Sequence, residues 1–269
     1  GRVSSSNPNL QNIPIRTDLG RQVRRAFIAP PGSQLISVDY SQVELRILAH
    51  ITHDPGLLDA FARGQDIHAA TAARLFNVPV DQVTSAQRRL GKTINFGIAY
   101  GITDYGVAAR TELSQTEARQ LIDNYFTQFV EVKAYIDRTK QQARERGYVR
   151  TLLGRRRDFP EFRPGAHVNG AMKNAAEREA INMPIQGSAA EIIKLAMIRL
   201  HGELRARRLK TRMTLQVHDE LVFECPVDEV RVVAPLVREI MENAYPLESK
   251  LRVDLAVGQN WDEMHEVEG

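Results

Sequence analysis

Arg88, Lys92, Phe96 and Tyr100 recur every four residues within RRLGKTINFGIAYG, residues 88–101. On an α-helix that spacing sets four side chains in one slowly spiralling stripe, about 6 Å apart along the axis. The stripe presents a guanidinium fork, an ammonium point charge and then two aromatic faces. Cations of this kind suit phosphates and rings suit a sugar and base, so the order fits a nucleoside triphosphate lying along the helix. The bland alternative is an amphipathic helix with Phe96 and Tyr100 in a core and Arg88 and Lys92 in water. A second signal is acidic. Asp39 lies near the end of the apolar run Gln34–Tyr40, and Asp219 and Glu220 lie between the apolar runs Thr211–Val217 and Leu221–Glu224. Adjacent carboxylates at a turn repel one another unless a cation neutralises them. An acidic tip that serves only solubility leaves its two apolar flanks unexplained.

The elements that must position these groups follow from pattern and punctuation. Residues 1–16 read as an extended, turn-rich lead-in, because Pro8 and Pro14 oppose a helix. Val23–Ala29 and Gln34–Tyr40 read as strands joined by the turn Pro30-Pro31-Gly32, and QVELRILAH then turns helical. Residues 55–85 read as short helices broken by Gly56, Gly64 and Pro79, and Gly101 and Gly106 break the chain after the central helix. Two helices follow, Ser114–Phe129 and Glu131–Arg146. Ser114-x-x-Glu117 caps the first and Gly147 closes the second. A hairpin with Gly154 near its tip carries Arg155, Arg156 and Arg157, as phosphate contacts or as a solvated tip. Residues 166–208 read as two helices parted at Pro184 and Gly187. A strand hairpin around His218-Asp219-Glu220, a helix over Val227–Tyr245 and a strand over Leu251–Val257 complete the chain.

Composition sets outer bounds. The 269 residues suffice for one large domain or two closely joined ones. Cys225 is the only cysteine, which excludes an intrachain disulfide and a cysteine-based metal site, and makes a reducing cytoplasm the natural location. No apolar run is long enough to span a membrane, and the polar start lacks the apolar core of a signal peptide. A net charge of +3 permits a nucleic-acid partner without requiring one.

The pattern Arg-x3-Lys-x3-Phe-x3-Tyr-Gly resembles the nucleotide-binding fingers helix of family A DNA polymerases, the bacterial DNA polymerase I type. SVDYSQVELRILAH resembles the family's motif A and LQVHDELVFE its motif C, in the family's order. RVSSSNPNLQNIP, QDIH and ERxxINMPIQG match further segments, so the resemblance covers essentially the whole chain. It implies an α+β fold, with an antiparallel palm sheet and an inserted, mainly helical fingers domain. The palm then comprises residues 1–65 and 167–269, and the fingers 66–166. The thumb and any exonuclease domain, which precede these parts in the family, would be partners supplied by the same polymerase, working as a monomer.

The resemblance further implies template-directed DNA synthesis from dNTPs on a primer 3′-hydroxyl. Asp39 and Asp219, with the backbone carbonyl of Tyr40, are the expected ligands of two Mg²⁺ ions, for which Mn²⁺ can substitute. Hard oxygen donors suit such ions. Glu220 supports them from behind, and Lys92 stabilises the departing pyrophosphate. Arg88, Lys92, Phe96, Tyr100, Tyr40, Gln42, Glu44 and His68 are the expected nucleotide contacts. Glu44 resembles a steric gate against a ribose 2′-hydroxyl, and Phe96 in place of Tyr implies poor use of dideoxynucleotides. Arg2, Asn9, Asn12, Arg178, Asn182, Gln186 and His218 are the expected primer–template contacts. For Asn182, interhelical hydrogen bonding is the competing role. The runner-up reading is a catalytically silent fragment that binds nucleotide or primer–template weakly without a thumb. A palm-type RNA polymerase or reverse transcriptase is disfavoured by Glu44 and the fingers helix.

Overall fold

The computed structural model describes residues 1–14 and 17–267. Ile15 and Arg16, at the end of the expected lead-in, and Glu268 and Gly269 lie outside the described residues. The helices are α1 (Asp18–Arg25), α2 (Val43–Thr52), α3 (Pro55–Ala62), α4 (Ile67–Phe76), α5 (Ser85–Ala99), α6 (Asp104–Ala108), α7 (Gln115–Gln128), α8 (Val130–Arg146), α9 (Gly170–Ala206) and α10 (Val230–Glu242). The strands are β1 (Ser33–Tyr40), β2 (Tyr148–Arg150), β3 (Arg156–Asp158), β4 (Arg212–Val217), β5 (Glu220–Pro226), β6 (Val253–Gly258) and β7 (Met264–Glu266). The chain forms two compact units, one of residues 1–43, 189–246 and 251–269, the other of residues 44–188 and 247–250.

The first unit is built on an antiparallel sheet of order β4-β5-β1-β6-β7. Apolar residues on β1 and β5, among them Ile36, Val38, Leu221 and Phe223, are buried, as are Val237 and Met241 of α10. Such sheet-and-helix burial is worth roughly 1.5–3 kcal/mol per large side chain. The tyrosine hydroxyl of Tyr40 donates to the carbonyl of Met241 at 2.8 Å and ties the end of β1 to α10. A second cluster joins Ala29, Leu35, Val217, Val222 and Trp261.

One expectation for this unit changes, and one strand is added. Val23–Ala29 is not a strand. Its first residues end α1, whose N-cap Thr17 accepts the Gly20 N–H at 3.1 Å. Only the far end is extended, where Ile28 bridges Asn260 and the Ala29 N–H donates to the Gln259 carbonyl. The alternating pattern misleads because the buried residue is the cation Arg24, whereas Val23 is exposed. The strand β7 carries no sequence signal as strong as its neighbours.

The second unit is helical apart from the small hairpin β2–β3. Capping boxes open α5, through Thr84 and Gln87, and α7, through Ser114 and Glu117. Gly147 closes α8 in a left-handed conformation, φ 70°, and its N–H donates to the Ala143 carbonyl. Tyr125 and Phe129 are buried with ring centroids 4.6 Å apart. Gly56 and Gly106 lie inside α3 and α6 rather than between helices. A Cβ on Gly56 would meet the Arg74 guanidinium at 2.8 Å, so that glycine serves packing.

The expected break at Pro184 and Gly187 is absent, and α9 runs uninterrupted for 37 residues. Proline removes one helical hydrogen bond at a cost of about 3 kcal/mol. The burial of Ile181, Ile185, Ile192 and Ile193 along the helix outweighs it. Ser188 Oγ donates to the Pro184 carbonyl at 2.5 Å and accepts the Leu152 N–H at 2.9 Å, which pins the hairpin here. Gly187 is a close-approach position, since a Cβ there would lie 2.7 Å from Thr151 Cγ2.

Helices α4 and α5 approach closely at Gly91. A Cβ on Gly91 would stand 2.4 Å from the His68 carbonyl oxygen, a backbone atom that cannot rotate away. Gly91→Ala is therefore expected to lose about 1–3 kcal/mol of stability, despite alanine's better helix propensity. The midpoint of urea unfolding measures this; an unchanged or raised midpoint contradicts the packing described.

Candidate active site

In the first unit the register of β1 decides the chemistry. Asp39 pairs directly with Glu220 on β5 and with Asp254 on β6, so three acids share one face of the sheet. Asp219 joins them from the two-residue turn between β4 and β5, where His218 takes a left-handed conformation, φ 55°. The Tyr40 N–H donates to the Asp219 carbonyl at 3.3 Å and holds this turn against the end of β1. Desolvation of the Asp39 carboxyl pushes its pKa up to about 8, with repulsion from Asp219, Glu220 and Asp254 adding to it. A carboxyl so placed needs a cation to stay ionised at neutral pH.

Glu220 is differently served. Its Oε1 accepts from the Trp261 indole N–H at 2.7 Å and from Ser37 Oγ at 2.5 Å. Its Oε2 lies 4.0 Å from the Arg24 guanidinium, which itself stacks 4.0 Å over the Trp261 ring. Glu220 is thus held and partly neutralised by protein. Among the described residues no three His, Cys, Asp or Glu side chains form a complete metal cage. The remaining oxygen donors, Asp39, Asp219 and the Tyr40 carbonyl, fit a hard divalent cation that keeps positions open for other oxygen ligands. The Tyr40 side chain is unavailable to a nucleotide, because it is buried with its hydroxyl on Met241. Its expected contact is therefore limited to backbone. Gln42 is half-buried with φ 56°. Arg2, Asn9 and Asn12 are exposed, and Asn9 caps a short 3-10 turn by accepting the Gln11 N–H. Gln11 also donates to the Gln216 carbonyl at 3.2 Å, and Gln216 donates to the carbonyl of exposed His218.

In the second unit α5 carries the expected stripe on one unbroken helix. Arg88 is ion-paired with Asp66 at 2.6 Å, and Lys92 is exposed. Asp66 is also the N-cap of α4, accepting the N–H groups of His68 and Ala69 at 2.8 and 3.0 Å. One carboxylate thus aims the cation and fixes the helix that bears the histidine. His68 is buried and its ring lies 5.4 Å from that of Phe96. Burial lowers its pKa to about 4, and the charges of Lys92 and Arg88 act in the same direction, so the ring is neutral at pH 7. Tyr100, at the end of α5, donates its hydroxyl to Glu44 at 2.5 Å. Arg178, Asn182 and Gln186 follow one face of the unbroken α9, with Arg178 exposed and the other two half-buried. Asn182 Oδ1 is buried without a partner, which does not fit a purely interhelical bonding role. Of the basic tip, Arg156 pairs with Asp158 and stacks on Tyr148, and Arg157 pairs with Glu179.

The sequence profile of DNA polymerase family A matches residues 1–263. The chain belongs to DNA polymerase family A. It is 53% identical over 265 residues to DNA polymerase I of Chloroflexus aurantiacus, an alignment covering 98% of this chain and 28% of that protein. It is 48% identical over 261 residues to the thermostable DNA polymerase I of Thermus aquaticus, covering 97% and 31%. Among solved structures it resembles the POL domain of Pol1 from M. smegmatis, in complex with DNA primer-template and dNTP, with TM-score 0.92 and 47% identity. That match covers 97% of this chain and 46% of the other. The chain thus spans less than a third of the length of these two polymerases. No helix among the described residues is long and apolar enough to cross a membrane.

Sequence reasoning about this family A chain missed Asp254, Arg24, Trp261, Asp66 and Asn95. Asp254 had a weak signal, an acid alternating with apolar residues in VDLAV. Its pairing with Asp39 is a matter of register that one strand read alone does not reveal. Asp66 stood in plain sight beside His68 and is a good N-cap type.

His68 also gives a pH dependence. Its folded pKa of about 4 lies below the ordinary 6.5, so the unfolded chain binds more protons between those values. Its contribution to stability is complete above pH 6.5 and is lost as pH falls toward 4. Urea unfolding at pH 7 and pH 5 is expected to show a smaller acid loss in His68→Leu than in the parent chain; equal losses in both contradict a neutral buried histidine.

Proposed function

We propose that this chain carries the nucleotidyl-transfer chemistry of a template-directed DNA polymerase, adding deoxynucleotides to a primer 3′-hydroxyl. The observation that carries the reading is the stripe Arg88, Lys92, Phe96 and Tyr100 on the single helix α5, in a family A chain whose sheet holds Asp39 beside the Asp219 turn. The relation to a POL domain described with DNA primer-template and dNTP supports the same substrates here. In this reading residues 1–65 and 167–269 are the palm and 66–166 the fingers.

Divalent cations, Mg²⁺ or in its place Mn²⁺, would be held as a pair by Asp39, Asp219 and the Tyr40 carbonyl, supplying charge neutralisation and a more acidic 3′-hydroxyl. The protein's own groups do the positioning that phosphoryl transfer requires. Arg88 and Lys92 hold the phosphates, and Lys92 stabilises or protonates the departing pyrophosphate. His68, neutral and packed on Phe96, donates a hydrogen bond to a phosphate oxygen. Phe96 and Tyr100 offer their faces to the sugar and base, and Gln42 lies beside the nucleotide. Glu220, fixed by Trp261, Ser37 and Arg24, acts by shaping the acidic face rather than as a ligand. Arg178, Asn182 and Gln186 contact the duplex, with Arg2, Asn9, Asn12 and His218 near the primer terminus.

The test is extension of a labelled primer–template by one complementary dNTP with Mg²⁺ at low salt. Template-directed extension by the parent chain, abolished in Asp219→Ala, is the expected result. No extension by the parent chain would replace the reading with a fragment that binds nucleotide or primer–template without turnover.

Glu44, fixed by the Tyr100 hydroxyl, is proposed to exclude a ribose 2′-hydroxyl. Glu44→Ala is expected to raise ribonucleotide over deoxynucleotide use by about tenfold or more. The ratio of kcat/KM values measures it, and an unchanged ratio removes Glu44 from sugar selection.

A further inference from the structure

Behind the stripe lies a polar cluster that the proposed chemistry does not use. Asn95 on α5 and Thr71 on α4 are both fully buried, an expensive placement unless their hydrogen bonds are met. They bond reciprocally: Asn95 Nδ2 donates to Thr71 Oγ1 at 2.9 Å, and Thr71 Oγ1 donates to Asn95 Oδ1 at 3.1 Å. Asn95 Nδ2 also faces the backbone carbonyl of Ile67 at 3.4 Å and His68 Nδ1 at 3.2 Å. A carbonyl oxygen can only accept, so it turns the NH₂ end of the amide, not the oxygen, toward this side. The NH₂ has two protons for three facing acceptors, but whichever two it serves, a proton on His68 Nδ1 would point at a donor, so Nδ1 is the bare nitrogen of the ring. The ring proton is left on Nε2, for which no protein group among the described residues is a partner. Nε2 is not among the fully buried unsatisfied atoms, so the small exposed part of this 4% exposed residue includes it.

We propose that Asn95 is a positioning residue for nucleotide binding, which locks His68 in the Nε2–H tautomer and so makes its outer edge a neutral donor to a phosphate oxygen. The proposal rests on the reading of His68 as a triphosphate contact. The physical advantage is one of orientation. A bare Nε2 would oppose a phosphate oxygen lone pair to lone pair, whereas Nε2–H donates to it, and hydrogen bonds to charged acceptors are the stronger class. Gly91 makes the lock possible, because only the close approach of α4 and α5 brings Asn95 within reach of Nδ1.

The experiment combines ¹⁵N NMR of the His68 ring with dATP binding, both on the full chain at pH 7. The ring signals are identified by their loss in His68→Leu. The parent chain is expected to show bare Nδ1 and protonated Nε2. Asn95→Leu, which adds no charge, should mix the two tautomers, and Asn95→Asp, whose carboxylate accepts from Nδ1–H, should reverse them. Each Asn95 variant should weaken dATP binding by about tenfold, the scale of one hydrogen bond to a charged group. Asn95→Leu added to His68→Leu should cost nothing more. Protonated Nδ1 in the parent chain overturns the inference without any variant having to fold. So does weakened binding in His68→Leu but not in Asn95→Leu. If His68→Leu itself binds dATP as the parent does, the placement of His68 at the triphosphate fails instead, whatever the spectra show.

Discussion

The middle strand of the sheet imposes the constraint on which the first unit depends. Because β1 is paired on both edges, a residue on its open face has direct neighbours on two strands. At Asp39 both neighbours are acids. Three carboxylates at that spacing oppose folding unless something relieves them. The protein relieves one: Glu220 receives an indole N–H, a serine hydroxyl and the nearby charge of Arg24. The arrangement has its own cost, since Arg24 Nε is buried without a partner. An unmet buried donor costs about 1–3 kcal/mol. What is gained is a fixed acid beside Asp39, whose own carboxyl pKa is raised by burial and by its acidic neighbours.

The second unit solves a different problem, how to aim flexible cations. Arginine and lysine side chains lose considerable rotamer entropy when held. Asp66 holds Arg88 while its other oxygen caps α4, so a single carboxylate orders both a helix start and a guanidinium. The Gly91 contact then sets α4 at a fixed depth on α5. The backbone at His68 is set by that contact, while its ring packs against Phe96 and bonds Asn95. Lys92, by contrast, is exposed, a point charge on a flexible stem.

What could be read in the sequence divides along these lines. Helical spacing is local, so the stripe on α5, the Ser114–Glu117 capping box and the close of α8 at Gly147 were all legible from residues alone. The hairpin around Asp219 was legible because its flanks are apolar and its turn is acidic. Register was not. Nothing in VDLAV says which residue of β1 it will face, so Asp254 stayed hidden. Burial of unusual residues was equally hidden: where the expected strand begins, α1 ends and the buried residue is Arg24, not Val23. Pro184 misled for the opposite reason: a local breaker was overruled by a long buried face and by Ser188, which bonds back to the Pro184 carbonyl and also holds the distant Leu152 N–H. Gly56 and Gly187 read as breaking positions, yet both lie inside helices where a Cβ would meet a neighbour, Arg74 and Thr151 respectively.

Tyr100 shows how the two kinds of information meet. Its N–H still bonds the carbonyls of Phe96 and Gly97, but its backbone has left helical geometry, with φ −100° and ψ 8°. Gly101 follows in the left-handed region, φ 66°, where a side chain would be strained and would crowd Arg178 at 3.1 Å. The ring therefore sits at the frayed end of α5, where displacement disturbs few backbone bonds. Its hydroxyl bond to Glu44 is the contact that such displacement must break. Within this unit that bond couples the position of the last aromatic ring to the orientation of the Glu44 carboxylate.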